Sequence, residues 1–371
     1  MIRVCHIISG DLWAGAEVMA YNLIKRLSKY QNIELFTILL NPGKLAEELK
    51  KHGIPVYIND EKSLSFFHIL NNARKVIKKF KPDIVHSHRY KENIISFLAI
   101  QGNTSKKEIK LISTQHGIPD GISAGNGRWS SFGLSVYNFN YYILSHYFNC
   151  TVSVSKDIQD LLIKHKYFSF ENTTVIHNGI EIPPIMEKEY GDNIFKIGSA
   201  GRFFRIKDFP LFVEIAKILI DKYKNLEFIL AGDGPERETV QSLVRKYDIE
   251  KYFLFPGFIS DTSVFFKGLD LYINTSMHEG IPISILEAMA HGIPVVAPAV
   301  GGFCEMIDNG VDGLLVDSRD PMDYARQCFK IMDHIDIRKR ISYEAREKII
   351  RDFSVGKMAD IYLKLYNDMT N

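Results

Sequence analysis

Residues 278–297 read His278-Glu279-Gly280-Ile281-Pro282-Ile283-Ser284-Ile285-Leu286-Glu287-Ala288-Met289-Ala290-His291-Gly292-Ile293-Pro294-Val295-Val296-Ala297. Pro282 stands near a first helical position, Gly292 just past a helix end and Pro294 beyond it, so the stretch predicts a helix of about two turns. It follows a strand-like run at Leu271–Asn274 and leads into another at Val295–Ala297. The free N–H groups at the start of such a helix, around Ile283 and Ser284, make an anion site with the helix dipole behind it. Glu279 lies just before the helix and Glu287 inside it, slightly more than two turns on, so both can face one cleft. One carboxylate would grip a sugar and the other a ribose diol. Taken alone, the two read equally well as an N-terminal charge and a solvated helix residue.

Outward from this segment, short β-rich apolar runs alternate with helical patterns in both halves of the 371-residue chain, the signature of parallel sheets covered by helices. Strands are predicted at Arg3–Ile8, Leu35–Leu40, Val56–Ile58, Ile84–His86, Lys110–Thr114 and Cys150–Val154. A second set follows at Phe195–Ala200, Glu227–Ala231, Leu254–Phe255, Leu271–Asn274, Val295–Ala297 and Gly313–Val316. The fold class is therefore α/β, with two Rossmann-like parallel-sheet domains facing a central cleft, where a ligand would meet the carboxyl ends of the strands. The linker is Ile182–Asp192, with Pro183, Pro184 and Gly191 and no periodicity. It separates a domain at 1–186 from one at 187–355. A helix at 356–371 either caps the second domain or crosses back to the first.

The Gly198–Asp208 segment strengthens the anion reading. A strand runs into Gly201, and Arg202 and Lys207 follow on the loop that leaves its carboxyl end. A planar fork and a mobile point charge suit a diphosphate whose negative charge grows as it departs, and would play the part of a metal ion. The first strand likewise leads into Ser9-Gly10-Asp11-Leu12-Trp13-Ala14-Gly15-Ala16-Glu17, where a glycine lets a ligand approach the backbone. Gly232-Asp233-Gly234-Pro235 reads as a tight turn. No G-x-G-x-x-G fingerprint follows the first strand, which disfavours a nicotinamide oxidoreductase.

Among twelve histidines, His86, His88 and His116 fall at or just beyond strand ends. His88 and His116 are expected to point into the cleft and to hydrogen-bond a sugar; a zinc site is disfavoured for want of a carboxylate or cysteine at ligand spacing. Cys5, Cys150, Cys304 and Cys328 lie far apart and read as buried small hydrophobes. Trp129–Phe148 holds eight aromatics in twenty residues, most of them expected in the core. The opening apolar run is too short for a signal or a spanning helix, so the expected location is the cytoplasm. The first 186 residues carry 22 Lys/Arg against 15 Asp/Glu, and the remainder 24 against 29. That is too weak for a nucleic-acid footprint, but suits an anionic acceptor or peripheral contact with the inner membrane.

Taken in order, Gly15-Ala16-Glu17, Pro82-Asp83-Ile84-Val85-His86-Ser87-His88, His116-Gly117, Val154-Ser155, Asn178-Gly179, Gly201-Arg202 with Lys207, Gly232-Asp233-Gly234-Pro235, Gly257, Glu279 to Glu287, Gly301-Gly302 with Glu305, and Gly313-Leu314-Leu315-Val316 resemble the GT-B glycosyltransferases of the large retaining family 4, bacterial polysaccharide type. The resemblance covers nearly the whole chain. It implies that Arg202 and Lys207 hold the donor diphosphate, Glu287 the nucleotide ribose and Glu279 the transferred sugar. Gly280, Ile281, Pro282 and Ile283 would supply backbone donors, Gly15 would approach the phosphates, and His116 would contact the sugar. Glu279, His116, Arg202 and Lys207 are thus the candidate catalytic residues. The family usually shows Gly-Gly before the Ala-Glu of the first loop, whereas Ala14 precedes Gly15 here.

The resemblance implies a UDP-sugar donor first and a GDP-sugar second, no cofactor or metal, and a saccharide or lipid-linked saccharide as acceptor. Three rivals share some of these features. A glycoside hydrolase would use the two carboxylates but needs no diphosphate clamp. The others are a sugar-nucleotide epimerase of the same architecture and a catalytically silent sugar-nucleotide-binding subunit.

Overall fold

The computed structural model describes residues 1–101, 108–117, 131–164, 168–185, 194–259 and 261–370, the side chains of 131–135 and 137 excepted. The chain divides into two compact units, Met1–Glu181 with Val355–Asn371, and Ile182–Ser354.

The first unit holds β1 (Ile2–Ile8), β2 (Ile33–Leu39), β3 (Val56–Ile58), β4 (Ile84–Ser87), β5 (Lys110–Gln115), β6 (Cys150–Ser153) and β7 (Thr173–Val175). They form one parallel sheet in the order β3-β2-β1-β4-β5-β6-β7. Its inner strands β1, β2, β4 and β6 are buried on both faces, which is why β1 reads as a nearly unbroken apolar run. The connecting helices are α1 (Gly15–Leu27), α2 (Lys44–Lys51), α3 (Phe66–Phe80), α4 (Tyr90–Ile100), α5 (Ser131–Tyr147) and α6 (Lys156–Lys164).

The second unit repeats the plan with β8 (Phe195–Ala200), β9 (Leu226–Ala231), β10 (Phe253–Gly257), β11 (Leu271–Ile273), β12 (Val295–Pro298) and β13 (Leu314–Val316), in the parallel order β10-β9-β8-β11-β12-β13. Its helices are α7 (Phe209–Lys222), α8 (Arg237–Lys246), α9 (Thr262–Lys267), α10 (Ile283–Ala290), α11 (Phe303–Met306), α12 (Pro321–Asp333) and α13 (Ile335–Asp352). A core that includes Ile197, Phe212, Phe228, Leu271 and Tyr324 fills it.

Several expectations are corrected here. The units part at Glu181 and Ile182, ahead of the 186/187 boundary, because Ile180 still belongs to the first: its carbonyl accepts from the Val355 amide at 2.8 Å. Residues 186–193 of the expected linker lie outside the described residues. β7, only three residues long, was not expected. In the aromatic helix α5, Tyr141 is buried, as is Phe148 beyond its end, but Phe139, Tyr142 and Tyr147 are exposed, so the stretch is half core and half surface; Trp129 and the side chains of Phe132 and Tyr137 are not described. Cys304 is exposed, while the other three cysteines are buried.

The last helix, α14 (Val355–Thr370), packs on α1 in the first unit. Tyr362 and Tyr366, both fully buried, secure it. The Tyr366 hydroxyl meets His86 Nδ1 at 2.7 Å, His86 Nε2 meets Thr114 Oγ1 at 2.7 Å, and Thr114 Oγ1 meets the Tyr362 hydroxyl at 2.9 Å. Removing one member leaves a buried group unpaired, which costs about 1–3 kcal/mol. Tyr366→Phe is expected to lower the stability of the first unit by that amount in denaturant titration. An unchanged unfolding midpoint would show that this network does not hold the helix.

Candidate active site

In the second unit the strand order reverses between β8 and β11, and the connections leaving these neighbours carry the candidate residues. After β8 the chain passes Arg202 and turns through Arg205–Lys207. After β11 it runs to Glu279 and into α10. The two connections are tied together. The Met277 amide donates to the Ile206 carbonyl at 2.7 Å, and Thr275 Oγ1 donates to the Lys207 carbonyl at 2.9 Å. Arg319, which the sequence reading missed, spans both: its guanidinium donates to the Thr275 carbonyl at 2.7 Å and the Ser276 carbonyl at 3.1 Å, and pairs with Asp208. Asp208 holds a left-handed backbone, φ +47°, a strained conformation that the surrounding contacts must enforce. Beneath them the buried Tyr272 hydroxyl accepts from the Ala200 amide at 3.0 Å and donates to the Ala200 carbonyl at 3.1 Å.

Lys207 Nζ pairs with the Glu279 carboxylate, each side chain 20% exposed. Ser276 Oγ donates to the same oxygen at 2.9 Å. Burial pulls the Lys207 ammonium pKa down, but the Glu279 charge and hydrogen bond outweigh it and hold the pKa above the ordinary value. Arg202 is exposed, its guanidinium 4.2 Å from the Phe204 ring centroid, and has no ion-pair partner among the described residues.

At the start of α10, Pro282 takes the cap position in extended conformation, with no side-chain cap. Its carbonyl accepts from Ile285 at 3.1 Å and Leu286 at 3.3 Å, so the Ile283 and Ser284 amides are not used in the first helical turn. Pro282 has no N–H, so the expectation that every residue from Gly280 to Ile283 donates from its backbone is corrected: Gly280, Ile281 and Ile283 carry the amides, and Pro282 shapes the entry. Glu287 accepts from Thr262 Oγ1 of α9 at 2.8 Å. Burial lifts its pKa to about 7, with the Thr262 hydrogen bond opposing. The two carboxylates thus have different partners.

In the first unit, Gly15 is the exposed first residue of α1, behind Ala14, which offers no side-chain cap. Behind Gly15, fully buried Glu17 meets Arg89 at 2.6 Å. His116 lies at the end of β5 and His88 at the end of β4. His88, expected to point into the cleft, is 1% exposed. Its Nε2 lies 3.2 Å from His6 Nδ1 and its Nδ1 lies 3.3 Å from His116 Nε2. Burial drives the His6 and His116 pKa values down to about 3 and those of His86 and His88 well below the ordinary value. Nitrogens of His6, His86 and His88 lie within 4.8 Å of one another. However, both His86 nitrogens are engaged by hydroxyls, and its ring stacks on His88 at 4.4 Å and 23°, so its lone pairs do not converge with theirs on one ion.

Two family models account for most of the chain. One for "Glycosyltransferase Family 4" matches residues 13–182 and one for "Glycosyl transferases group 1" matches residues 187–348. The chain belongs to glycosyltransferase family 4. The UDP-Gal:alpha-D-GlcNAc-diphosphoundecaprenol alpha-1,3-galactosyltransferase of Escherichia coli is 24% identical, over 99% of this chain and 97% of that protein. The 2-deoxystreptamine N-acetyl-D-glucosaminyltransferase of Niallia circulans is 29% identical over 45% of this chain and 43% of its own length. A crystal structure of Anabaena HepE in complex with UDP and glucose superposes with a TM-score of 0.83 at 19% identity, covering 99% of this chain and 100% of that one. The shared fold of this glycosyltransferase is GT-B.

The glycine pair after β12 shows how closely the Glu279 connection of this glycosyltransferase is packed. A Cβ on Gly302 would lie 1.7 Å from the Gly280 carbonyl oxygen, and one on Gly301 2.5 Å from that of Glu279. Gly302→Ala must therefore push the Glu279–Gly280 backbone away, at a cost of about 1–3 kcal/mol. Gly268→Ala, whose methyl meets its neighbours at an ordinary 3.5 Å, should stay within about 0.5 kcal/mol of the parent. Parallel thermal denaturation of the two variants checks the contrast, and equal midpoints would refute the close approach.

Proposed function

We propose that this glycosyltransferase moves a sugar from a UDP-sugar to a hydroxyl of a saccharide or lipid-linked saccharide in bacterial surface polysaccharide synthesis, with retention of anomeric configuration and without a divalent metal. GDP is the alternative nucleotide. The observation that carries the reading is the Lys207–Glu279 pair, held beside exposed Arg202 and the uncapped start of α10. Support for the nucleotide and acceptor classes comes from the E. coli relative, whose name gives a UDP-sugar donor and a diphosphoundecaprenol-linked acceptor, and from HepE, crystallised with UDP and glucose. No helix among the described residues is long and apolar enough to cross a membrane, so contact with the inner leaflet in this proposal is peripheral.

An arriving diphosphate offers Lys207 a more highly charged partner than Glu279. The lysine turns to it, Arg202 joins, and the amides of Gly280, Ile281 and Ile283 take phosphate oxygens. Glu279, released, accepts hydroxyls of the transferred sugar, and Glu287 accepts from the ribose. Gly15 is assigned to a phosphate oxygen and His116 to a sugar oxygen. The bond between the anomeric carbon and the phosphate oxygen then breaks as the acceptor hydroxyl closes on the same face. The departing oxygen takes the hydroxyl proton. Fixed positive charge aimed at the growing anion lowers this barrier, and one such group is worth on the order of 10²–10³ in rate.

Lys207→Ala and Arg202→Ala are each expected to cut turnover by about 10²–10³ while far-ultraviolet dichroism shows a folded chain. Near-normal rates in both variants would reject the diphosphate clamp. A thermal-shift screen with UDP, GDP, ADP and CMP identifies the base, since a ligand at 100 times its Kd adds roughly 2.7 kcal/mol; no shift with any of them contradicts the proposal. The anomeric coupling in the product NMR spectrum reads retention directly.

The protonation of Glu287 gives a further test. Its native pKa of about 7 against an ordinary 4.5 means that the folded state keeps the proton longer. The stability that the neutral carboxyl confers is therefore lost as pH rises from about 4.5 to 7. Ribose binding uses the ionised form, so nucleotide affinity should rise through pH 7 as proton is released. Glu287→Gln should weaken binding and flatten that profile in calorimetry; an unaltered profile would remove Glu287 from the ribose.

A further inference from the structure

Three imidazoles in the first unit form an unbranched hydrogen-bonded line, with contacts of 3.2 Å from His6 Nδ1 to His88 Nε2 and 3.3 Å from His88 Nδ1 to His116 Nε2. The planes of His6 and His88 are inclined by 25°, and those of His88 and His116 by 22°. With centroids 5.5 Å and 5.6 Å apart, the rings meet edge to edge through their nitrogens. The two outer nitrogens, His6 Nε2 and His116 Nδ1, are buried and have no hydrogen-bond partner among the described residues.

Proton counting leaves few arrangements. A neutral imidazole carries one N–H and one lone pair. Each of the two contacts needs one proton, so three neutral rings have only two satisfied states, related by reversing every proton together. In one state all three rings are protonated at Nδ1, His6 Nε2 keeps a bare lone pair and His116 Nδ1 presents an N–H. In the other, all are protonated at Nε2, and His6 buries an N–H without an acceptor. A charged ring would have to sit in a site where His6 is fully buried and His88 1% exposed, with the Arg89 guanidinium opposing a charge on His88 and His116. An orphaned buried N–H is rarer than an under-used acceptor. The inner end, on fully buried His6 within β1, is the worse place for it. The outer end is on His116, the first residue after β5, which is only partly buried and so is the end nearer to an arriving oxygen.

We infer that His6 and His88 are positioning residues that fix His116 in its Nδ1–H tautomer, so that His116 offers an oxygen of the bound sugar a ready, uncharged donor. The inner end has no partner among the described residues to receive a proton, so the line selects a tautomer and does not conduct protons to solvent. That the oxygen belongs to a sugar rests on the transfer reading above. The tautomer itself does not.

The test uses the full chain labelled with ¹⁵N-histidine, without ligand, in a long-range ¹H–¹⁵N correlation at pH 7.5, the rings assigned by single substitution. The expected pattern is neutral rings with pyrrole-type Nδ1 and pyridine-type Nε2 at positions 6, 88 and 116. An Nε2–H tautomer at His116, or an imidazolium at any of the three, overturns the inference. His88→Leu removes the donor to His116 Nε2, and His116 should then gain the Nε2–H form. His88→Gln, whose amide can donate to His116 and accept from His6, should restore the parent pattern. A folded His88→Leu protein with an unchanged His116 tautomer also overturns it; should that variant not fold, the parent and His88→Gln spectra decide the matter. Failure of the transfer reading appears elsewhere, as a parent protein that no nucleotide stabilises, and leaves these spectra untouched.

Discussion

A parallel strand is followed by a crossover of fixed hand, so where the chain order reverses across two neighbouring strands, their outgoing connections part to opposite faces and leave a crevice at the sheet edge. Each unit has one such place: between β1 and β4 in the first, and between β8 and β11 in the second. Most of the candidate residues described above gather near these two points. His6 lies on β1 beside His86 of β4, and His88 leaves β4. Lys207 follows β8, and Glu279 follows β11. The topology brings residues 72 positions apart in sequence, Lys207 and Glu279, into one ion pair.

The two crevices handle polarity in opposite ways. In the second unit the charges are kept and paired at partial exposure, where an ion pair contributes little net stability but exchanges partners readily. The surrounding straps do the holding. Arg319, Thr275 and the Ile206 carbonyl fix the two connections to each other, so Lys207 can change partner without the backbone following. In the first unit the rings are buried and neutral, and each fixes its neighbour's proton. One site is arranged to exchange charge and the other to hold a neutral donor.

Much of this was legible in the sequence. Alternating apolar runs located all strands among the described residues except β7, whose three residues sit at the sheet edge. Pro282, Gly292 and Pro294 bounded α10, because backbone geometry dictates those residue types locally. Arg202, Lys207 and Glu279 stood out by residue type on the connections after strands, and Glu287 by its helical spacing from Glu279. What could not be read depends on register and distant packing. His6 looks like an ordinary strand residue until β1 is paired with β4. Arg319 belongs to a loop more than a hundred residues from the Lys207 turn. The return of α14 to the first unit depends on two tyrosines finding His86 and Thr114, and no local pattern encodes that. The exposed half of α5 was missed because aromatic content gives the amount of apolar surface and not the direction in which it faces.

The crevice of the first unit also concentrates buried acidity. Glu17 is fully buried against Arg89, and Glu92, 1% exposed in the first turn of α4, has its pKa raised to about 7 by burial, its own amide and Arg89 opposing. Glu92 keeps its proton longer folded than unfolded, so the stability its neutral form confers declines as pH climbs from about 4.5 to 7. A chain selected for stability alone would place an amide or an apolar side chain there. Three carboxyls around one guanidinium, Asp11 and Glu17 paired with it and Glu92 within its field, instead set the charge beside the line of imidazoles. Arg89 is the shared element: it lowers the proton affinity of His116 and His88 and offsets the charge of Glu17 and Glu92. The neutrality of the imidazole line and the ionisation of the acidic pair are therefore coupled through one side chain, and the polar burial that weakens this edge of the sheet also keeps His116 uncharged.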